Sequence, residues 1–292
     1  MNSMVQTIKA MRIERSFFAV LMIFIPAAFT GKINASVYLL VLLCVIAYTI
    51  GGLYNAKVDN DYDVKHANQI MAFLFITGLV ISLKDIVLFF TFFMWFALGL
   101  VYNKYSRFVL FGDNTVLAVT HGALPVLSSS FLLGLDIWLS LKLAGFLFVN
   151  MWLAIPLKNL NNFKKDEMLG YHTLMTMKKN GRSITEMLLE SYFISMFFAY
   201  FLFDLGDVFL AVLMFLFILR IFVFRLLREK KFAHGYRLNK IATLIFLFGI
   251  IASRTREEIV FVPIVLAILY LIYQGILFAN NFTVLKNQRV EM

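Results

Sequence analysis

Asn55, Asp59 and Asp63 recur at every fourth position directly after a run of apolar residues. At about 3.6 residues per turn, that spacing advances each side chain only about 40° around a helix, which predicts all three on one face. Asp61 falls on the opposite side, where water would solvate it. Two carboxylates and an amide oxygen, placed where a hydrophobic segment leaves a membrane, suit a hard cation. Mg²⁺ in particular takes one or two carboxylates together with the phosphate oxygens of a substrate. The same residues also suit a short acidic loop that caps two helices, and spacing alone does not separate the two readings. Further along, Lys158, Asn162 and Asp166 are again four apart, so their side chains can converge on one substrate.

The elements that carry these residues are set by composition. Of 292 residues, 61% are hydrophobic and only 15% are charged. The mean hydropathy is +0.83. Soluble domains hold roughly 45–50% apolar residues, so the chain reads as an all-α polytopic membrane protein. It is read as one transmembrane domain over 1–292, with no soluble second domain, low-complexity tract or internal repeat. The N-terminal segment MNSMVQTIKAMRIERSF is polar and basic, and the first apolar run lacks a small-residue cleavage site. A retained first helix is expected. The single cysteine, Cys44, lies in an apolar run and excludes both a disulfide framework and a thiolate metal site.

Apolar runs long enough to cross roughly 30 Å of hydrocarbon fall near 16–31, 35–54, 69–83, 85–102, 113–132 and 137–157. After a polar stretch come 183–203, 206–226, 239–252 and 259–279, of which 239–252 is short enough to be re-entrant. A bundle of nine or ten transmembrane helices follows, with ten preferred. Lys and Arg are concentrated at alternate helix ends, which places the N-terminus and both polar stretches in the cytoplasm around a cytoplasm-facing cavity. This asymmetry accounts for the net charge of +10 without a nucleic-acid partner. The basic run at 225–240 suits anionic headgroups or a substrate phosphate.

Together the two polar stretches resemble the UbiA superfamily of intramembrane prenyltransferases. That family carries N-x-x-x-D-x-x-x-D after its second helix and K-D-x-x-D-x-x-G-D-x-x-x-G-x-x-T-L after its sixth. Asn55, Asp59 and Asp63 match the first pattern in full. Lys158, Asp166, Gly170, Thr173 and Leu174 match the second. Weaker echoes are Arg12-Ile13-Glu14-Arg15 before the first helix, Tyr102 with Arg107 after the fourth, and Asn114 opening the fifth. The resemblance covers roughly residues 10–182, and a tenth span would exceed the family's usual nine.

The resemblance implies Mg²⁺-dependent transfer of a prenyl group from a prenyl diphosphate to a small aromatic or lipid acceptor within the bilayer. It assigns Asp59 and Asp63 to a first metal with Asn55 as a neutral ligand, Asp166 to a second, and Lys158 to the diphosphate. Asn162, Tyr102, Arg107 and His172 become substrate contacts, and no obligate protein partner is implied. For Tyr102 and Arg107, positive-inside topology alone is the other reading.

The departures matter as much. Asn159 and Asn162 stand where the family usually has Asp, and Lys165 stands where it has Gly. These changes allow one firmly held metal with Lys158, Lys164 or Lys165 replacing the charge of the second. They also allow phosphoribosyl transfer to a polyprenyl phosphate, to which His66 is a single-residue hint, or a catalytically degenerate member. Among the other polar residues, His121 is expected as an interhelical hydrogen-bond partner and His234 as solvated. Asn114 and Asn150 face the cavity or bond a neighbouring helix, and Arg220 snorkels to the inner interface. A transporter would need polar groups across the whole bilayer, whereas here the outer half is almost purely apolar.

Overall fold

The computed structural model describes residues 7, 10–59, 66–255, 258–270 and 272. Asp61, Asp63 and Lys65 lie outside the described residues, as do most of the final polar residues. The described elements are all helical, in the order α1 (Ser16–Thr30), α2 (Ala35–Val58), α3 (Ala67–Ser82), α4 (Ile86–Lys104) and α5 (Gly112–Leu133). Next come α6 (Ile137–Ala154), α7 (Pro156–Met168), the single turn α8 (Leu174–Met177), α9 (Gly181–Leu202), α10 (Asp207–Arg228), α11 (Phe232–Arg254) and α12 (Phe261–Tyr270).

Seven described helical segments are long and apolar enough to cross a membrane, and α3 and α12 are shorter apolar helices. The protein is an integral membrane protein. Helix α9 is long enough but carries Arg182, Glu186 and Glu190 in its first half. The stretch at 239–252 is not a short re-entrant piece: α11 runs for 23 residues from Phe232. Its polar first half escapes a hydropathy count because Tyr236, Asn239 and Lys240 line an internal cavity.

Helix α1 is apolar on every side, as a helix at the centre of a bundle must be. Ser16 through Ala28 are all buried, and α2, α5 and α11 pack around it. Helix α10 is the opposite case, with Met214, Phe215, Ile218 and Phe222 exposed on a face suited to lipid. Three helices start on capping side chains that accept from their own first-turn amides: Asn34 for α2, Asp85 for α4 and Asp136 for α6. Such caps satisfy amide donors that a helix start leaves orphaned. The C-terminal ends of α2, α4 and α6 then share the other end of the bundle, where the polar residues gather.

Candidate functional site

A polar cavity of about 250 Å³ opens at that end, lined from the 3-10 turn Ile13–Arg15 and from α2, α4, α5, α7 and the loop at 169–173. Helix C-termini favour cations through their unpaired carbonyls, and the lining follows suit. Five cationic side chains (Arg12, Arg15, Arg107, Lys158, Lys165) face three carboxylates (Asp59, Asp113, Asp166) among the described residues. This excess suits a polyanion.

Asn55 and Asp59 are brought together as the spacing predicts. However, α2 ends at Val58 and Asp59 is already its C-terminal cap. Asp63, the third residue of the pattern, lies outside the described residues. Asn55 Nδ2 donates to Asp59 Oδ2 at 3.1 Å, and Arg12 donates to Asn55 Oδ1. The other oxygen of Asp59 accepts from Arg107 Nη1 and from the Tyr171 hydroxyl, each at 2.7 Å, and Lys165 Nζ lies 3.4 Å from Oδ2. Burial alone would raise the Asp59 carboxyl, but Tyr171 and Arg107 outweigh it and hold it below the ordinary range. Burial and the bond to Asp59 together push the Tyr171 phenol up to about 12.

Arg107 sits in the 3-10 turn Ser106–Phe108 and is 6% exposed. Its guanidinium lies between the rings of Tyr102 and Tyr171, 4.6 and 4.8 Å from their centroids. It bonds Asn103 as well as Asp59, and only its Nε is buried without a partner. Arg107 is therefore spent chiefly on holding Asp59, not on an exposed basic loop. The turn is followed by Gly112, where a Cβ would come within 2.4 Å of the Ser106 carbonyl oxygen. That close approach swings α5 back so that Asp113, at its start, reaches the cavity.

Helix α7 leaves the apolar α6 as a polar extension, PLKNLNNFKKDEM. It delivers Lys158, Asn159, Asn162, Lys165 and Asp166 to the cavity. Lys158 Nζ donates to the Tyr102 hydroxyl at 2.9 Å and lies 4.0 Å from Asp113 Oδ2. Asn162 Oδ1 accepts from Asn161. Asp166 is 9% exposed, and its carboxyl is pushed up to about 6, first by burial and then by Asp113, against the pull of Lys158. Gly170, at a φ of +68°, turns the chain so that Tyr171 and Thr173 line the cavity.

His172, between them, is exposed, and only its backbone amide acts at the site, donating to the Arg107 carbonyl at 2.7 Å. His172, expected as a substrate contact, is not among the residues that line the cavity. His66 is exposed and pairs with Gln69 at 2.6 Å. His121 bonds within its own helix, to Leu117 and Thr120, not across helices. Its ring meets Tyr48 edge-on beside a π-helical turn at Val119–Ala123. Asn150 donates to Ser195 on α9, and Asn114 to the Trp152 carbonyl on α6. Arg220 does not merely snorkel: it pairs with Glu190 of α9 through two hydrogen bonds.

No group of three or more His, Cys, Asp or Glu residues is placed to hold a metal among the described residues. Asp113 and Asp166 line the same cavity, with Asn159 and Asn162 beside them. That donor set fits Mg²⁺, which keeps much of its shell for water and substrate oxygens. Asp59 fits less well, because all its oxygens already face protein donors. Sequence reading missed Asp113 and Tyr171. A lone Asp before Asn114 carries no spacing signal, and the Tyr171 phenol gains meaning only when the loop folds onto α2.

No protein-family model and no curated protein matches the sequence. Among solved structures, the apo structure of a UbiA homologue from Aeropyrum pernix K1 aligns with a TM-score of 0.65 at 13% identity, over 84% of this chain and 99% of that one. A digeranylgeranylglyceryl phosphate synthase aligns with a TM-score of 0.60 at 17% identity, over 88% of this chain and 100% of that one. At these identities the likeness is one of fold.

Proposed function

The chain has the UbiA fold, and we propose that it is an intramembrane prenyltransferase acting as a single domain with its active site at the cytoplasmic interface. It moves a prenyl group from a prenyl diphosphate to a small aromatic or lipid acceptor. The observation that carries this reading is the cation-rich cavity at one end of an apolar bundle, continuous with apolar space inside it. The structural similarity to a digeranylgeranylglyceryl phosphate synthase supports the same class of reaction.

In the reaction the bond between prenyl C1 and the bridging oxygen breaks, and the diphosphate leaves with the electron pair. The acceptor's nucleophile bonds to C1 and gives up its proton. The barrier is dominated by charge gathering on the leaving group, which preorganised cations stabilise. Lys158, anchored on Tyr102, and Arg15, which lines the same cavity, are placed to contact the diphosphate. Lys165 reaches in from α7, and Asn162 offers its amide. Asp166 and Asp113 would hold Mg²⁺, with Asn159 and Asn162 assisting. Bound there, the ion would neutralise phosphate oxygens. Asn55 and Asp59 brace the cavity wall, with Arg107 and Tyr171 locking Asp59 in place. Asp63, which lies outside the described residues, is proposed as a further metal ligand.

Binding of geranylgeranyl diphosphate to the detergent-purified protein tests this reading, with and without Mg²⁺, for wild type and Lys158→Ala. Mg²⁺-dependent binding that the variant loses is expected. A well-folded wild type that ignores the ligand would reject the donor class. The phosphoribosyl alternative gains nothing from His66, which is exposed and engaged with Gln69.

A further inference from the structure

The ion pair between Glu190 of α9 and Arg220 of α10 has no part in the site described above. The two helices share one end, where Arg182 of α9 donates to the Leu227 carbonyl of α10 at 3.1 Å. From that end Glu190 lies nine residues past Gly181, and Arg220 lies eight before Arg228. At 1.5 Å per residue both are about 12–14 Å along their helices. Helix α10, with 22 residues, roughly matches the thickness of the hydrocarbon. Both charges therefore sit well inside it.

Charged groups at that depth ordinarily face the bundle interior or a water-filled cavity. These two face outward. They line neither the polar cavity nor the apolar space inside the bundle, and their side chains are 34% and 28% exposed. Glu190 shares its face of α9 with Met187, Ile194 and Phe201, all of them exposed. Helix α10 is the least buried of the seven long apolar segments. On it Phe217 and Phe224 flank Arg220, with the guanidinium 5.4 and 5.6 Å from their ring centroids.

The pair also leaves hydrogen-bonding capacity unspent. Arg220 Nε donates to Glu190 Oε2 at 3.0 Å, and Nη2 donates to Oε1. A guanidinium has five N–H groups, and those on Nη1 meet no acceptor among the described residues. We propose that this outward face of α9 and α10 is a homodimer interface, in which Arg220 of each copy donates to the partner's Glu190.

Charge complementarity selects this occupant. Lipid tails offer neither donor nor acceptor, and the headgroups are about two helical turns away. A different protein would have to present an acid and a base at this same depth. A second copy does so by symmetry. A twofold axis along the membrane normal keeps both residues at their depth and reverses their order across the interface, so that cation meets carboxylate twice. Met187, Ile194, Phe201 and Phe217 then close around the four charges and exclude lipid.

Single-molecule photobleaching of the labelled full chain in liposomes, over a range of protein-to-lipid ratios, tests the assignment. Wild type should show two bleaching steps. Glu190→Arg and Arg220→Glu, each alone, should show one, because every charge at the interface then has the same sign. Mixed together they should form a heterodimer, since one chain brings two cations and the other two carboxylates. Wild type that stays monomeric at every ratio overturns the proposal, as does a dimer that both single variants retain. So does a mixture that stays monomeric although each variant is folded. Glu190→Leu with Arg220→Leu covers the case in which the single variants misfold, because it leaves no unpaired charge. Its dimer should be at least about tenfold weaker than that of wild type, a change of about 1.4 kcal/mol. A dimer of unchanged strength in that variant would place the contact on another face.

Discussion

Arg107 Nη1 and Asp59 Oδ1 are 2.7 Å apart, with both side chains almost fully buried. The pair joins the end of α2 to the turn after α4, and Tyr171 bonds both partners. Breaking a buried pair leaves an uncompensated charge, which costs about 3–5 kcal/mol. Arg107→Ala should therefore lower the melting temperature in detergent markedly, and adding Asp59→Asn should recover part of the loss. If Arg107→Ala melts like wild type, the pair does not carry the wall of the cavity.

Asp113 is the carboxylate that only the fold brings to the site. It faces Lys158 and adds to the upward push on Asp166. Asp113→Asn is expected to weaken Mg²⁺-dependent diphosphate binding by roughly tenfold, a loss of about 1.4 kcal/mol. The Asp166 carboxyl should move back toward its ordinary range in the same variant. Calorimetric titration of Mg²⁺ with inorganic diphosphate reads the first effect. Mg²⁺ binding equal to wild type would remove Asp113 from the metal site.

In the first motif, periodicity placed Asn55 and Asp59 together because Asp59 caps the helix that carries Asn55; Asp63, the third residue of the pattern, lies outside the described residues. The second motif was legible as a cluster, since Lys158, Asn162 and Asp166 share the amphipathic α7. What linear spacing could not supply were contacts between distant segments. Arg107 read as a substrate contact or a basic loop residue, and its burial against an Asp 48 positions away carried no sequence signal. His172 read as a phosphate contact from its alignment position, yet the turn at Gly170 aims Tyr171 inward and leaves the imidazole outside. Hydropathy likewise under-read α11, because the residues that break its apolar run face a cavity and not lipid.

The Asp166 carboxyl, pushed up to about 6 by burial and by Asp113, sets a pH dependence with a definite sign. With Mg²⁺ the ionised form is required, so diphosphate binding should weaken as pH falls through about 6. Without Mg²⁺ the same protonation removes a negative charge facing the ligand, so binding should strengthen over that range. Folding follows the raised value: the contribution to stability is complete below the ordinary carboxylate range near 3.9 and is lost as pH rises through about 6. Asp166→Asn should abolish all three trends. Identical pH profiles for the variant and wild type would assign the titration elsewhere.

Asn159 and Asn162 offer neutral oxygens where two more carboxylates would make a denser metal site. Both line the cavity beside Asp166, and Lys165 already reaches across to Asp59. Asn159→Asp with Asn162→Asp would replace two neutral oxygens by charged ones and cancel the local excess of positive charge. The Mg²⁺ concentration needed for half-maximal diphosphate binding should then fall several-fold, while binding without Mg²⁺ should nearly vanish through repulsion of the polyanion. The two effects have opposite signs on one ligand, so loss of fold, which would depress both, is readily told apart. A Mg²⁺ requirement that does not move would mean that Lys158, Lys165 and Arg15 hold the diphosphate without help from a metal at Asp166.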